Sequence, residues 1–279
     1  MQNTNYEEKV LYGGKIILKF FPLTHIYMCN GVRCKSPTGA IGIIDKSRVL
    51  MAWASELIGD FLREKNGQSL TNELIDEAIS QPTTFKKEAA NTGTIAHKWI
   101  EDYIKGENPD MPENEGSAKA VMGFLDWVKK SKVKFVASEK LVYSKKYGYA
   151  GTLDGIAKIG SEKKPFIIDY KVSKGLYPGV ALQTAAYQFA DAEESGTEYA
   201  GRVAIRLSKE TEEEYNLREE KKLSKYMEKT GKSYEIKPFQ PFEARLMTNY
   251  ERDLKLFILA LQLSTGYQEL DREFFNASM

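Results

Sequence analysis

The stretch from Gly148 to Tyr187 constrains this chain more than any other part of it. It contains Gly151-Thr152-Leu153-Asp154, then Ile167-Ile168-Asp169-Tyr170-Lys171, then Gln183-Thr184-Ala185-Ala186-Tyr187. Phe166-Ile167-Ile168 is a short apolar run between Pro165 and the Ser173-Lys174-Gly175 turn, and it predicts a buried strand. Side chains alternate along a strand, so Asp169 and Lys171 project from one face. Thr152 to Ile159 predicts a second strand, joined to the first through the turn-rich segment Gly160 to Pro165. An antiparallel hairpin centred near Glu162 pairs residues whose numbers sum to about 324. Asp154 then stands opposite Tyr170, within a residue, and beside Asp169 and Lys171. Pro178 opens a helix on which Gln183 and Tyr187 share a face.

Two carboxylates at one spot repel each other unless a cation lies between them, and an oxygen-rich site suits Mg²⁺ or Mn²⁺. A lysine beside such a cation orients an attacking water or neutralises charge growing on a phosphate. Each piece also has a plainer reading. Asp-x-Lys on a strand makes surface ion pairs, and Asp154 before Gly155 fits a turn. Upstream, Gly93-Thr94-Ile95-Ala96-His97 leads into a helix with His97 and Glu101 on one face, which also fits a simple surface pair.

Taken in order, Gly-Thr-x-x-His, Gly-Thr-Leu-Asp, Asp-Tyr-Lys and Gln-x-x-x-Tyr resemble the RecB-like branch of the PD-(D/E)XK nucleases. The likeness is greatest to phage and bacterial exonucleases and to their mitochondrial genome-maintenance relatives, and it spans roughly residues 24–207. It implies an α/β fold: a restriction-endonuclease-like core whose mixed central sheet is flanked by helices. On that pattern residues 1–90 form an N-terminal hairpin and helical lobe, 91–208 the nuclease core, and 209–279 a charged helix and a C-terminal packing helix. The resemblance makes His97, Asp154 and Asp169 metal ligands, with the Tyr170 carbonyl as a further one. Lys171 becomes the catalytic lysine, while Gln183 and Tyr187 steady the site or the DNA. The implied activity is a DNA exonuclease using one or two Mg²⁺ or Mn²⁺ ions in phage or bacterial recombination, repair or DNA processing. A recombination or single-strand-annealing protein is the implied partner. Two other readings keep the fold: a catalytically silent DNA-end-binding protein, and a structure-specific endonuclease. One departure is Asp169, where many relatives carry Glu; the shorter arm tightens the metal site or alters its preference.

Cys29 and Cys34 are the only cysteines, too few for the four-cysteine iron-sulfur cluster of some relatives. They flank Asn30-Gly31, a hairpin turn signal, and read as reduced thiols. No run approaches the ~20 apolar residues of a membrane span. The polar opening Met1 to Glu8 lacks a secretory signal's apolar region, so a cytoplasmic protein is expected. The net charge of +1 does not argue for nucleic acid, but Lys129 to Lys146 holds seven lysines against one acid, Glu139. That run is either a solvated helix end and strand edge or a basic rim guiding a phosphate backbone. The absence of a phosphate-binding loop argues against a helicase motor within the chain.

The remaining elements follow from periodicity. Ile16 to Phe20 and His25 to Cys29 predict strands, with His25 a strand residue. Ser36-Pro37-Thr38 starts a helical region. Lys46 to Lys65 carries a helical stripe of Val49, Leu50, Trp53, Leu57, Phe61 and Leu62; this passage resembles the N-terminal part of phage exonucleases, which implies a structural wall over the DNA channel. A helix from about Ser69 to Ser80 is divided by Pro82 from a segment reaching Gly93. Thr94 to Lys105 forms a helix, 106–115 a polar loop, and 116–130 a helix. Val133 to Tyr143 is a strand whose Glu139 either supports the site or pairs with nearby lysines. A strand at Gly201 to Leu207, a solvated helix within 209–232 and a final helix from Phe242 to Leu263 complete the chain.

Overall fold

The computed structural model describes residues 6–276. A four-stranded antiparallel meander comes first: β1 (Glu7–Leu11), β2 (Ile16–Phe21), β3 (Ile26–Cys29) and β4 (Val32–Cys34). Of the polar opening stretch, residues 1–5 lie outside the described residues, while Glu7 and Glu8 begin β1, a strand the sequence pattern did not reveal. Asn30 and Gly31 join β3 to β4 with φ of 47° and 80°, the left-handed pair that a two-residue hairpin requires. His25 is corrected from strand to turn. It sits between β2 and β3 at φ 52°, its ring edge-on to Phe20 and Tyr27.

Ser36 caps α1 (Pro37–Ile41), its hydroxyl accepting from the Gly39 N–H. Next, α2 (Ser47–Glu64) buries none of its residues and lies against α3 (Asn72–Ile104), with Trp53 edge-on to Phe85. The expected break at Pro82 is absent. Although the proline removes the N–H that the Ala78 carbonyl would accept, at a cost of about 3 kcal/mol, the helix runs its full 33 residues. Ala96, Trp99 and Ile100 bury its second half in the core, and Ala78 is buried in its first. Thr71 caps it, accepting from Leu74 N–H, so the helix starts at Asn72, a little past the expected Ser69.

The order α4 (Glu115–Ser131), β5 (Val133–Ser144), β6 (Tyr149–Ile159), β7 (Phe166–Val172), α5 (Gly179–Ser195) and β8 (Gly201–Leu207) is the expected one. Then α6 (Glu212–Thr230) starts on a capping box made by Thr211 and Glu214. The predicted helix at Phe242 is corrected: Phe242–Met247 is a strand, β9, paired antiparallel with β8, and α7 (Tyr250–Asn276) begins only after it. The main sheet runs β5-β6-β7-β8-β9 and is mixed. β7 and β8 are parallel, so the chain must cross over between them, and α5 makes the crossing.

Alternation along these strands builds a core on each side of the sheet. Leu153, Ile156 and Ile167 pack with Ile41, Leu182 and Phe257 of α1, α5 and α7. Ile168, Tyr170 and Val203 pack with Ile100, Phe124 and Trp127 of α3 and α4. The result is a mixed α/β architecture with helices on both faces. The meander sets Leu11, Leu18 and Tyr27 against Leu141 and Ala150 at the β5 edge. Within the first core, Arg202 and Asp253 form a buried ion pair at 2.9 Å. Among the described residues no helix is long and apolar enough to cross a membrane.

Candidate active site

The β6–β7 hairpin pairs Gly155 with Ile168 and Ile156 with Ile167, one residue from the expected register. Asp154 therefore arrives at the Asp169-Tyr170 step, where its Oδ2 accepts the Tyr170 N–H at 2.8 Å. On its other side, β6 pairs with β5 through Gly155–Ser138 and Leu153–Lys140, so Glu139 comes level with Asp154. Glu139 has φ 45°, a left-handed conformation that is strained for a side chain of this kind.

His97 reaches the same point from α3. Its Nε2 is 3.1 Å from the Tyr170 carbonyl oxygen and its Nδ1 is 3.9 Å from Asp154 Oδ2. Donor atoms of His97, Glu139 and Asp154 all lie within 4.8 Å of one another. Glu139 is the residue that sequence reasoning left between supporting the site and pairing with nearby lysines. The signal lay in the β5–β6 hairpin: counted back from the Ser144–Tyr149 pair at its turn, Glu139 falls opposite Asp154.

Asp169 projects from β7 with Lys171. It is fully buried, and Lys171 Nζ lies 2.6 Å from its Oδ2, while Oδ1 has no hydrogen-bond partner. Burial pushes the Asp169 carboxyl up to about 6, against the pull of Lys171. Burial works against the Lys171 charge too, but Asp169 and Asp154 outweigh it and hold its pKa above the ordinary lysine value. Lys171 is therefore a fixed cation at neutral pH.

Gln183 and Tyr187 stand on α5, Gln183 Nε2 donating to the Tyr187 hydroxyl at 3.1 Å. This explains the glycine of Gly-Thr-Leu-Asp. A Cβ at Gly151 would lie 2.7 Å from Tyr187 Cε1 and 3.1 Å from Pro37, so any side chain would displace the tyrosine. Glu101 is engaged elsewhere, by Lys105 and by Lys98 along α3. The lysine run does not make one rim. It is spread from the end of α4 (Lys129 and Lys130) and its cap Lys132 through β5 (Lys134 and Lys140) to the turn beyond (Lys145 and Lys146). Lys140 pairs with Asp191, Lys130 pairs with Asp126, and Lys146 lies over the Tyr147 ring.

Glu139 yields a pH prediction. Burial, then the Asp154 charge, pushes its carboxyl up to about 8. An acid whose pKa rises on folding binds more protons folded than unfolded, so it destabilises the fold as pH rises from about 4.5 towards 8. Melting in EDTA is expected to show that decline for the wild type and a shallower one for Glu139→Gln. Added Mg²⁺ should raise the wild-type melting temperature more at pH 8 than at pH 6. Equal slopes for the two proteins would remove Glu139 from the group.

No family model matches this chain, and no curated protein matches it.

Proposed function

We propose that this protein is a metal-dependent DNA exonuclease of the PD-(D/E)XK type. The observation that carries the reading is the convergence of His97, Glu139 and Asp154 beside the buried Asp169–Lys171 pair. The mixed sheet with a helical crossover between β7 and β8 supports the finer fold assignment, and so does the order of the four motifs.

The donors suit a hard divalent cation. An imidazole nitrogen, carboxylate oxygens and a backbone carbonyl match Mg²⁺ or Mn²⁺. Asp169 Oδ1, buried with no hydrogen-bond partner, is the kind of acceptor that a cation satisfies. His97, Asp154, Asp169 and the Tyr170 carbonyl would hold one or two ions, with Glu139 as an additional ligand. A bound ion lowers the pKa of a coordinated water and draws charge from the scissile phosphate.

The side chains do the rest. Lys171, held cationic by Asp169, orients the attacking water and offsets negative charge as the new P–O bond forms and the bond to the leaving oxygen breaks. Asp154 is fixed by the Tyr170 N–H, which aims its carboxylate at the common point. Tyr187 stays neutral because burial lifts its hydroxyl well above the ordinary tyrosine pKa, and its bond with Gln183 braces the wall behind Gly151.

The test is digestion of end-labelled linear and closed circular DNA with Mg²⁺, Mn²⁺ or EDTA, comparing wild type with Asp154→Asn. Shortening of linear DNA from an end is expected, with circles left intact, and Asp154→Asn should lose about 10²–10³-fold in rate. Opening of circles would make the enzyme an endonuclease. DNA binding without cleavage would leave a silent binding protein.

A further inference from the structure

A second group of charged and aromatic residues lies beyond the carboxyl ends of the parallel strands. Lys171 is level with Arg206, and Val172 with Leu207, so the chain leaves β7 and β8 side by side. Lys174 and Lys209 each follow two residues later. Both bring their ammonium groups to the Phe85 ring of α3, at 5.7 and 5.0 Å from its centroid. Phe85 is edge-on to Trp53, and Lys86 lies over the Trp53 ring at 5.6 Å. The carboxyl end of a parallel pair is where open α/β sheets receive ligands.

These lysines differ from the others near the site. Lys98, Lys105, Lys130 and Lys140 each pair with an acid. Among the described residues Lys86, Lys174 and Lys209 make no ion pair; aromatic rings hold them instead. Two of the three are built into braced turns. The Ser173 hydroxyl donates to the Gly175 carbonyl, and the Ser208 hydroxyl accepts the Glu210 N–H. Glu210, the acid whose charge acts on Lys174, is already taken, since both its oxygens receive Arg218 at 2.8 and 2.9 Å. Burial lowers the Lys174 pKa; Glu210 opposes this, while Arg218, Lys209 and Lys222 add like charge. Gathered cations without a counter-charge call for an anion. Lys174 is at most about 10 Å along the chain from Lys171, and Phe85 is about 18 Å along α3 from His97, a span of a few nucleotides.

We propose that Lys86, Lys174 and Lys209, held around Phe85 and Trp53, cradle the phosphate backbone of the DNA strand a few nucleotides from the scissile bond. The proposal rests on the nuclease reading for its substrate, yet binding tests it without cleavage. A fluorescein-labelled single-stranded oligonucleotide is titrated with protein in EDTA between about 50 and 200 mM salt. Substituting Lys174→Gln and Lys209→Gln together should lower the slope of log affinity against log salt by about 1.4, and weaken binding about tenfold, as expected for two lost phosphate contacts. Lys86→Gln, on an exposed helix position, should lower it by about 0.7. Hydrolysis of bis(p-nitrophenyl) phosphate, too short to reach the cradle, should be unchanged in all variants. An unaltered slope in Lys86→Gln and in a double variant that melts like wild type overturns the cradle, as does a wild type that does not bind. A reduced slope with no hydrolysis of DNA or of the small diester by wild type keeps the cradle and removes the nuclease reading.

Discussion

Lys171→Ala is expected to lower the proposed metal-dependent DNA cleavage by about 10²–10³-fold and to destabilise the metal-free protein as well. The two effects have one origin. Lys171 Nζ is 2.6 Å from a carboxylate with no solvent exposure, so removing the lysine leaves Asp169 charged and alone in the core. Breaking such a pair costs about 3–5 kcal/mol when the orphaned charge cannot escape. Asp169 has a partial escape. Its carboxyl is already pushed up to about 6, and without Lys171 it rises further, so it takes a proton. The stability difference between variant and wild type should therefore be small below pH 6 and grow as pH rises through 7 and 8. Lys171→Met, which keeps the aliphatic stem, separates packing from charge and should match alanine in both activity loss and pH trend. Cleavage within a few-fold of wild type in either variant, at equal melting temperature, would remove Lys171 from the chemistry.

Arg202→Met should lower the melting temperature by about 10 °C, the largest stability effect of a single substitution away from the site. Arg202 and Asp253 are both buried. The guanidinium donates to Asp253 Oδ2 at 2.9 Å and to the Ala181 carbonyl at 2.7 Å, tying β8 to α7 and α5 at once. Removing one partner costs about 3–5 kcal/mol because the other charge stays buried, and each kcal/mol is worth about 2–4 °C in a chain approaching this size. Arg252 also donates to Asp253, at 2.8 and 2.9 Å, which softens the loss. The double variant Arg202→Met with Asp253→Leu should recover much of it. A double variant as unstable as the single one would show that the arginine acts by packing and by its bond to Ala181.

The central hairpin was legible in the sequence because its information is local. An apolar run, a turn of Gly, Ser, Lys and Pro, and a period of two bring Asp154 to the Asp169-Tyr170 step within one residue. Where the reading failed, two signals overlapped. Leu246, Tyr250, Leu254 and Ile258 recur every four residues, which reads as one helix, but Asn249 interrupts the series. Its carboxamide accepts from Arg252 N–H, so α7 starts there and Leu246 belongs to a strand. At Pro82 the local rule predicted a stop, and burial further along α3 overrode it. Glu139 was as local, opposite Asp154 across the β5–β6 hairpin, but its left-handed backbone and the lysines around it in sequence gave it the look of an ordinary strand acid.

His97 meets the Tyr170 carbonyl across 73 residues of chain, and between them β5 and β6 deliver Glu139 and Asp154. No short fragment carries the whole constellation. Contacts of this range form late, after the entropy of closing long loops has been overcome. A chain emerging from the ribosome therefore lacks the assembled group until α3 docks on a completed β5–β6–β7 ladder. The topology itself keeps these groups apart until synthesis has passed the last of these segments.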